Sequence, residues 1–337
     1  MGVPARSHGT KTTLGRLTHW RRGETMDSRV AHVSIVIVTW NSAAVLPQCL
    51  ADLRRHPPSL PHEVIVVDNG SSDATPNLIR ELGPPVRVII NDTNRGLPAA
   101  NNQGMRAAHG DAFLIMNPDA LVHAGAIDAL VDVMDRRRRA AFGIPRLEHG
   151  DGTLQTSAGD LPSLAEALAG RQAQRRRRAD RDGPPRGFWW DGWAHDVERR
   201  IGRGHEACYL VRGAAVTEIG PQDERFPLDW EGIDWMSSAD AAGWETWFAP
   251  AAQVTHLGGA SIRQVPLRWL VSSHRGMYRY FAKRSSPARR PVLGALFTAR
   301  ALAKAAGMAV RLASYERGHR AGRPDGGPGI RPNKDAT

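Results

Sequence analysis

The run FLIMNPD at residues 113 to 119 ends on a rigid turn that hands a carboxylate outward. Proline after Asn117 fixes the exit and forbids the strand from continuing, so Asp119 is presented at the sheet edge. A second apolar run, VIVVDNG, ends on Asp68. Two carboxylates at neighbouring strand ends suit a divalent cation that bridges a diphosphate, with phosphate oxygens completing the shell. Neither GxGxxG after the first strand nor GxxxxGK[ST] occurs. Dinucleotide redox enzymes and P-loop ATPases thereby lose their usual phosphate cradle, and a metal on Asp119 would supply the counter-charge instead. A plain turn is the alternative reading of an isolated Asn-Pro-Asp.

These residues need strands to carry them. HVSIVIVTW (32 to 40), HEVIVVDNG (62 to 70), VRVIIND (86 to 92) and DAFLIMNPD (111 to 119) are β-branched-rich runs bounded by polar turns. They read as strands buried on both faces. Helical segments separate them. Ser42 is expected to cap one carrying Val45, Leu46, Cys49, Leu50 and Leu53, Asp73 to cap the next, and a third covers 98 to 109 before Gly110. This alternation predicts an α/β fold with a doubly wound, mainly parallel sheet, whose ligands bind beyond the carboxyl ends of the strands. Every one of those ends is polar, from Thr39-Trp40-Asn41 to Asn117-Pro118-Asp119.

The expected organisation is a basic tail at 1–30, a catalytic domain at 31–262, a helical extension at 263–316 and a disordered tail at 317–337. Within the domain, 159–205 reads as an inserted, partly mobile loop, Arg-rich and then aromatic in FWWDGW. The chain carries 45 Lys+Arg against 34 Asp+Glu. Much of the excess lies in runs at 136 to 139 and 175 to 178, which suit solvated faces, polyanions or anionic lipid headgroups. No nucleic-acid-binding motif accompanies them, so nucleic acid is not expected as a partner. Two cysteines without metal spacing argue against a disulfide framework and fit a reducing cytosol. No stretch reads as long and apolar enough to span a bilayer, and no signal-peptide core follows the basic N-terminus.

Seven motifs in order resemble the inverting family 2 glycosyltransferases of GT-A fold, especially their rhamnosyltransferase-like branch in bacterial polysaccharide assembly. They are VSIVIVTWN, VIVVDNGSSD, NRGLPAANNQG, FLIMNPD, DERF with EGIDW, AGW and FAPAAQVTHLGGAS. The resemblance implies that Thr39, Asn41 and Asp68 hold the nucleobase and ribose. It implies that Asn94, Gly96, Ala100 and Asn101 line the nucleotide and sugar side, next to Asn117. Asp119 stands where the family's DxD motif places its metal-binding Asp, and His256 matches a position that can add a second ligand. The implied cofactor is Mg²⁺ or Mn²⁺, and the donor a nucleoside diphosphate sugar.

An inverting transfer needs one base to take the acceptor hydroxyl proton while positive charge stabilises the departing diphosphate. The family draws its base from an acidic cluster, Glu-Asp followed two residues later by Asp. Here Gly232 replaces the first Asp, leaving Glu231, Asp234 and Asp229 as candidates. Glu231 and Asp234 lie three apart and share a helix face. The Gly232 change also admits a catalytically impaired homologue that binds nucleotide sugar or glycan without turnover. Trp230, Trp235, Trp244 and Trp247 read mainly as core. The implied acceptor is a glycan or a polyprenyl-linked sugar. The basic and apolar stretch from 268 to 313 suits a peripheral position on the inner face of a membrane, or packing on the catalytic domain.

Overall fold

The computed structural model describes residues 29–169, 186–226, 228–258 and 266–320. The first four apolar runs form β1 (Val33–Thr39), β2 (His62–Asp68), β3 (Val86–Ile90) and β4 (Ala112–Met116). They are joined through α1 (Leu46–Arg55), α2 (Thr75–Arg80) and α3 (Leu97–Ala107). All four strands run parallel, in the order β3-β2-β1-β4. Every residue of β1 and β4 is buried, as a strand covered on both faces requires. Leu46, Cys49, Leu50 and Leu53 give α1 one apolar stripe against the sheet. Ser42 does not cap α1 with its side chain. Its carbonyl accepts the Val45 and Leu46 N–H groups, while its hydroxyl turns back to Trp40, because the chain makes one tight turn before the helix begins.

The second half adds β5 (Ala120–Val122), α4 (Ala126–Arg136), β6 (Ala140–Glu148), β7 (Leu154–Gln155), β8 (Ala158–Gly159) and α5 (Leu164–Ala169). It continues through β9 (Arg199–Ile201), β10 (Arg203–Gly204), β11 (Cys208–Arg212), α6 (Gly213–Ile219), α7 (Glu231–Ala241) and β12 (Glu245–His256). The main sheet reads β3-β2-β1-β4-β11-β6-β12-β5. It is a mixed, mostly parallel sheet, in line with the α/β fold expected. The reversal comes at β11, which lies antiparallel between β4 and β6. This one insertion brings the segment before β11 against the end of β4, where the Asn117 N–H donates to the Ala207 carbonyl at 2.8 Å.

Apolar cores fill both faces of the sheet, one under α1 and α4, the other under α3 and α7. The aromatic part of the 159–205 segment packs into the fold rather than standing over the site as a mobile loop, Trp190 and Trp193 joining the second core and Phe188 a third. Trp190 is buried and meets Trp193 edge-on. Arg203 lies between Phe188 and Trp189, 3.7 and 3.5 Å from the ring centroids. So many rings bury more area packed than solvated, and the guanidinium gains two aromatic faces. The Arg run at 175 to 178 falls outside the described residues.

The extension comprises α8 (Pro266–Lys283) and α9 (Arg290–Arg320). A third core of Phe226, Trp230, Ile233, Tyr280, Leu293 and Phe297 fastens it to the domain. The expectation about bilayer-length segments requires correction. Pro287–Ala309 is a 23-residue, mostly unburied helical stretch that is, by length and composition, long and apolar enough to cross a membrane. Arg300, which interrupts the apolar pattern in the sequence, folds back to the Leu168 carbonyl and His274, leaving the outer face apolar.

Candidate active site

Parallel pairing sets Thr39 beside Asp68 at the carboxyl ends of β1 and β2. Both are fully buried, and the Thr39 hydroxyl donates to Asp68 Oδ1 at 3.1 Å. The Ser71 hydroxyl donates to the same oxygen, and its N–H to Oδ2 at 3.1 Å. A carboxylate fixed by three donors is a rigid acceptor for a base or ribose group. Asn41 has φ of 51°, and its Oδ1 accepts the Ser72 N–H at 2.8 Å, closing the β1 turn on the β2 turn. Gly70 has φ of 75°, and a Cβ there would lie 2.5 Å from the Thr93 carbonyl carbon, so only glycine allows the β2 and β3 turns to meet.

The loop from β3 to α3 is organised around Asn69, whose amide donates to Asn94 Oδ1 at 3.1 Å and the Gly96 carbonyl at 3.2 Å. Asn94 Oδ1 also accepts the Gly96 N–H, so this oxygen shapes the loop rather than standing free. Ala100 is enclosed in the core beneath α3. Asn101 donates to Gln222 Oε1 at 3.0 Å, and Gln222 donates to the Tyr209 hydroxyl at 2.8 Å.

Asp119 follows β4, and β12 ends on His256, which pairs in register with Ala120. Asp119 Oδ1 lies 3.5 Å from His256 Nε2, with both residues buried. His256 Nδ1 is 3.1 Å from Gln155 Oε1. An amide oxygen only accepts, so Nδ1 carries a hydrogen here, and in the tautomer with hydrogen on Nδ1 alone Nε2 turns a lone pair toward the carboxylate. In that tautomer the two acceptors could hold a cation; the carboxylate suits Mg²⁺ or Mn²⁺, and the imidazole favours Mn²⁺ over Mg²⁺. Among the described residues no group of three or more His, Cys, Asp or Glu forms a metal site, so phosphate oxygens would complete the shell. His205 continues this row, its ring 5.2 Å from that of His256.

The structure separates the candidate bases. Asp234 receives Lys283 Nζ on Oδ2 and the Arg284 guanidinium on Oδ1, each at 2.7 Å. Glu231 is 2% exposed, and its Oε2 has no hydrogen-bond partner among the described residues. Beside it stands Glu206, from the turn before β11, whose carboxylate accepts the Gly232 and Ile233 N–H groups at the start of α7. Burial, with Asp229 nearby, pushes the Glu206 carboxyl up to about 7. Burial and the Glu206 charge raise Glu231 well above the ordinary carboxylate range. Asp229 is raised by burial too, and accepts the Ser273 hydroxyl at 2.7 Å.

Sequence reasoning missed Glu206, His205, Gln155 and Gln222. Glu206 left one signal, a single charge at the head of the apolar run CYLV. Trp230, Trp235 and Trp244 are buried core residues as expected, while Trp247 is partly buried with Arg137 over its ring.

The family model for Glycosyl transferase family 2 matches residues 34–189. An N-acetylglucosaminyl-diphospho-decaprenol L-rhamnosyltransferase of Mycobacterium tuberculosis is 30% identical over 269 residues, covering 75% of this chain and 84% of that protein. A PGL/p-HBAD biosynthesis glycosyltransferase of Mycobacterium bovis is 37% identical over 210 residues, covering 59% of this chain and 66% of that protein. A solved mannosyltransferase from Pyrobaculum calidifontis, in complex with GDP-Man and Mn²⁺, gives a TM-score of 0.49 at 18% identity, covering 92% of this chain and 87% of that one. With the rhamnosyltransferase matched across most of both chains, this chain belongs to glycosyl transferase family 2 and is a glycosyltransferase.

Proposed function

We propose that the protein is a metal-dependent, inverting transferase that moves a hexose, with rhamnose the preferred candidate, from a nucleoside diphosphate sugar to a lipid-linked or glycan acceptor in bacterial cell-wall polysaccharide synthesis. The observation that carries the reading is the Asp119–His256 pair, two facing acceptors 3.5 Å apart at the strand ends beside the Thr39–Asp68 pocket. Its relatives' names support the acceptor class, since one acts on a decaprenol-linked sugar.

In this reading Thr39, Asn41 and Asp68 hold the nucleoside, with Asn94, Gly96, Ala100 and Asn101 shaping the loop and helix on the sugar side. Asp119 and His256 hold the cation, with Asn117 fixing the turn that carries Asp119. A bound divalent ion supplies charge neutralisation for the leaving diphosphate. The acidic group at the start of α7 receives the acceptor proton, and of the two carboxylates foreseen there, Glu231 belongs to that group. Asp234, held by two cations, positions the helix.

The outer face of α8 and α9 exposes Leu267, Val271, Val292, Leu296 and Leu302. Arg289 and Arg290 border it, a combination suited to the anionic inner face of a membrane where a polyprenyl acceptor resides. The test is release of nucleoside diphosphate from dTDP-, UDP- and GDP-sugars with a polyprenyl diphosphate-linked acceptor, with Mn²⁺ and with chelator. Metal-dependent release from one donor is expected. Nucleotide binding without release from any donor would favour the impaired homologue that Gly232 suggests.

A further inference from the structure

Gly232 occupies the second position of α7, where the family pattern expects an aspartate. The volume beside it is not empty. A Cβ built on Gly232 would lie 2.6 Å from Glu206 Cδ, 2.7 Å from its Cγ and 2.9 Å from its Oε2. The Glu206 carboxylate thus stands where a side chain at 232 would begin, and it takes the Gly232 and Ile233 N–H groups. An aspartate at 232 would begin where the Glu206 carboxylate now stands, so the Glu206 side chain would have to swing away. The carboxylate lost from the helix is present, delivered from the opposite side by the turn before β11.

We propose that Glu206 is the general base of this transferase, replacing the acidic residue that Gly232 removes. This rests on the transferase reading above. Glu206 is one residue from His205, whose ring meets His256, so the turn before β11 joins the acidic group to the cation-binding pair. Glu206 is partly exposed, whereas Glu231 behind it is closed off, with an unpartnered Oε2. Glu206, the residue of the two with access to the outside, meets the substrate, and the enclosed Glu231, hydrogen-bonded to it, shares its proton. Asp229, Arg203 and the Tyr209 hydroxyl complete the titratable and charged surroundings. The raised affinity of Glu206 for a proton, near neutrality, suits a base that must accept a hydroxyl proton and then release it.

In the step, the acceptor O–H proton passes to the Glu206 carboxylate as the oxygen's electron pair forms the bond to the anomeric carbon. The bond from that carbon to the phosphate oxygen breaks, and its electrons leave with the nucleoside diphosphate. Glu206 finishes protonated and returns its proton to solvent.

The test compares wild type, Glu206→Gln, Glu206→Asp, Glu206→Ala and the double variant Glu206→Ala/Gly232→Asp. Nucleoside diphosphate binding by calorimetry is measured beside turnover, and thermal midpoints establish that each variant folds. Glu206→Gln is expected to bind nucleotide as wild type does and to lose about 10²–10⁴-fold in kcat. Glu206→Asp retains part of the rate, and the double variant recovers at least about tenfold over Glu206→Ala by returning a carboxylate to the helix. Wild-type kcat in Glu206→Gln, or a double variant no faster than Glu206→Ala, overturns the assignment while leaving the transferase reading intact. Absence of nucleotide binding in the wild type overturns the transferase reading itself.

Discussion

Arg284, the residue after α8, donates to Asp234 on α7 at 2.7 Å, and Lys283, which ends α8, holds the other carboxylate oxygen at the same distance. A residue whose spacing suggested catalysis therefore clamps the extension to the domain. Asp234→Ala removes the carboxylate the two cations share, leaving Lys283 with Asp223 and Arg284 with Ser237 and the Tyr280 carbonyl. Because Lys283 is 39% and Arg284 29% exposed, solvent softens the loss to about 1–3 kcal/mol. Urea denaturation measures it. Nucleotide affinity is expected to change little, and a large fall in affinity at unchanged stability would refute the clamp role.

Asp119→Ala removes one of the two acceptors that face each other across 3.5 Å. A nucleotide at 100 times its dissociation constant adds about 2.7 kcal/mol to native stability. In the wild type that increment should grow with Mn²⁺, and in Asp119→Ala the metal's share should vanish while the nucleotide's own share persists. Thermal unfolding with and without chelator separates the two shares.

Asp68→Asn keeps the shape of the nucleoside pocket but exchanges a charged acceptor for an amide. Hydrogen bonds to charged groups contribute about 1.5–3 kcal/mol, so roughly tenfold to a hundredfold weaker nucleoside binding is expected by calorimetry. Thr39→Val, which removes one of three donors to Asp68, should weaken binding less. Equal effects would mean that Asp68 acts only through Thr39.

Glu206 gives stability a defined pH dependence. Its folded-state affinity for protons is raised from 4.5 to about 7, so the folded protein holds this proton more tightly than the unfolded chain. The associated stability is fully present below about pH 4.5 and is lost as pH rises through about 7. Turnover runs the other way, rising as the base ionises. Denaturation midpoints across pH 5 to 8 should slope less in Glu206→Gln than in the wild type. Identical slopes would contradict the raised affinity.

The outer face of the helical extension predicts surface binding. Leu296→Glu/Leu302→Glu places two charges on a face where Leu302 is 66% exposed, so folding should be untouched. Sedimentation with anionic phospholipid vesicles should fall at least about tenfold, as expected when buried apolar area and lipid attraction are both reduced. Equal sedimentation of variant and wild type would remove the membrane from the description.

Strand ends were legible because a buried parallel strand announces itself locally, as β-branched residues closed by polar turns. Thr39, Asp68 and Asp119 could be found that way, each fixed to its strand by sequence neighbours. Register and packing made the rest. His256 meets Asp119 only because β12 pairs with β5, and nothing local in QVTHLGG specifies that partner. The helix spacing of Glu231 and Asp234 was correct. Yet their partners come from α8 and from the turn before β11, about 50 and 25 residues away, and those partners made one carboxylate a clamp and left the other beside Glu206. Gly232 read as a loss because a sequence shows what a residue lacks, not what fills its space. Only the antiparallel insertion of β11 beside β4 brings a glutamate from elsewhere into that volume.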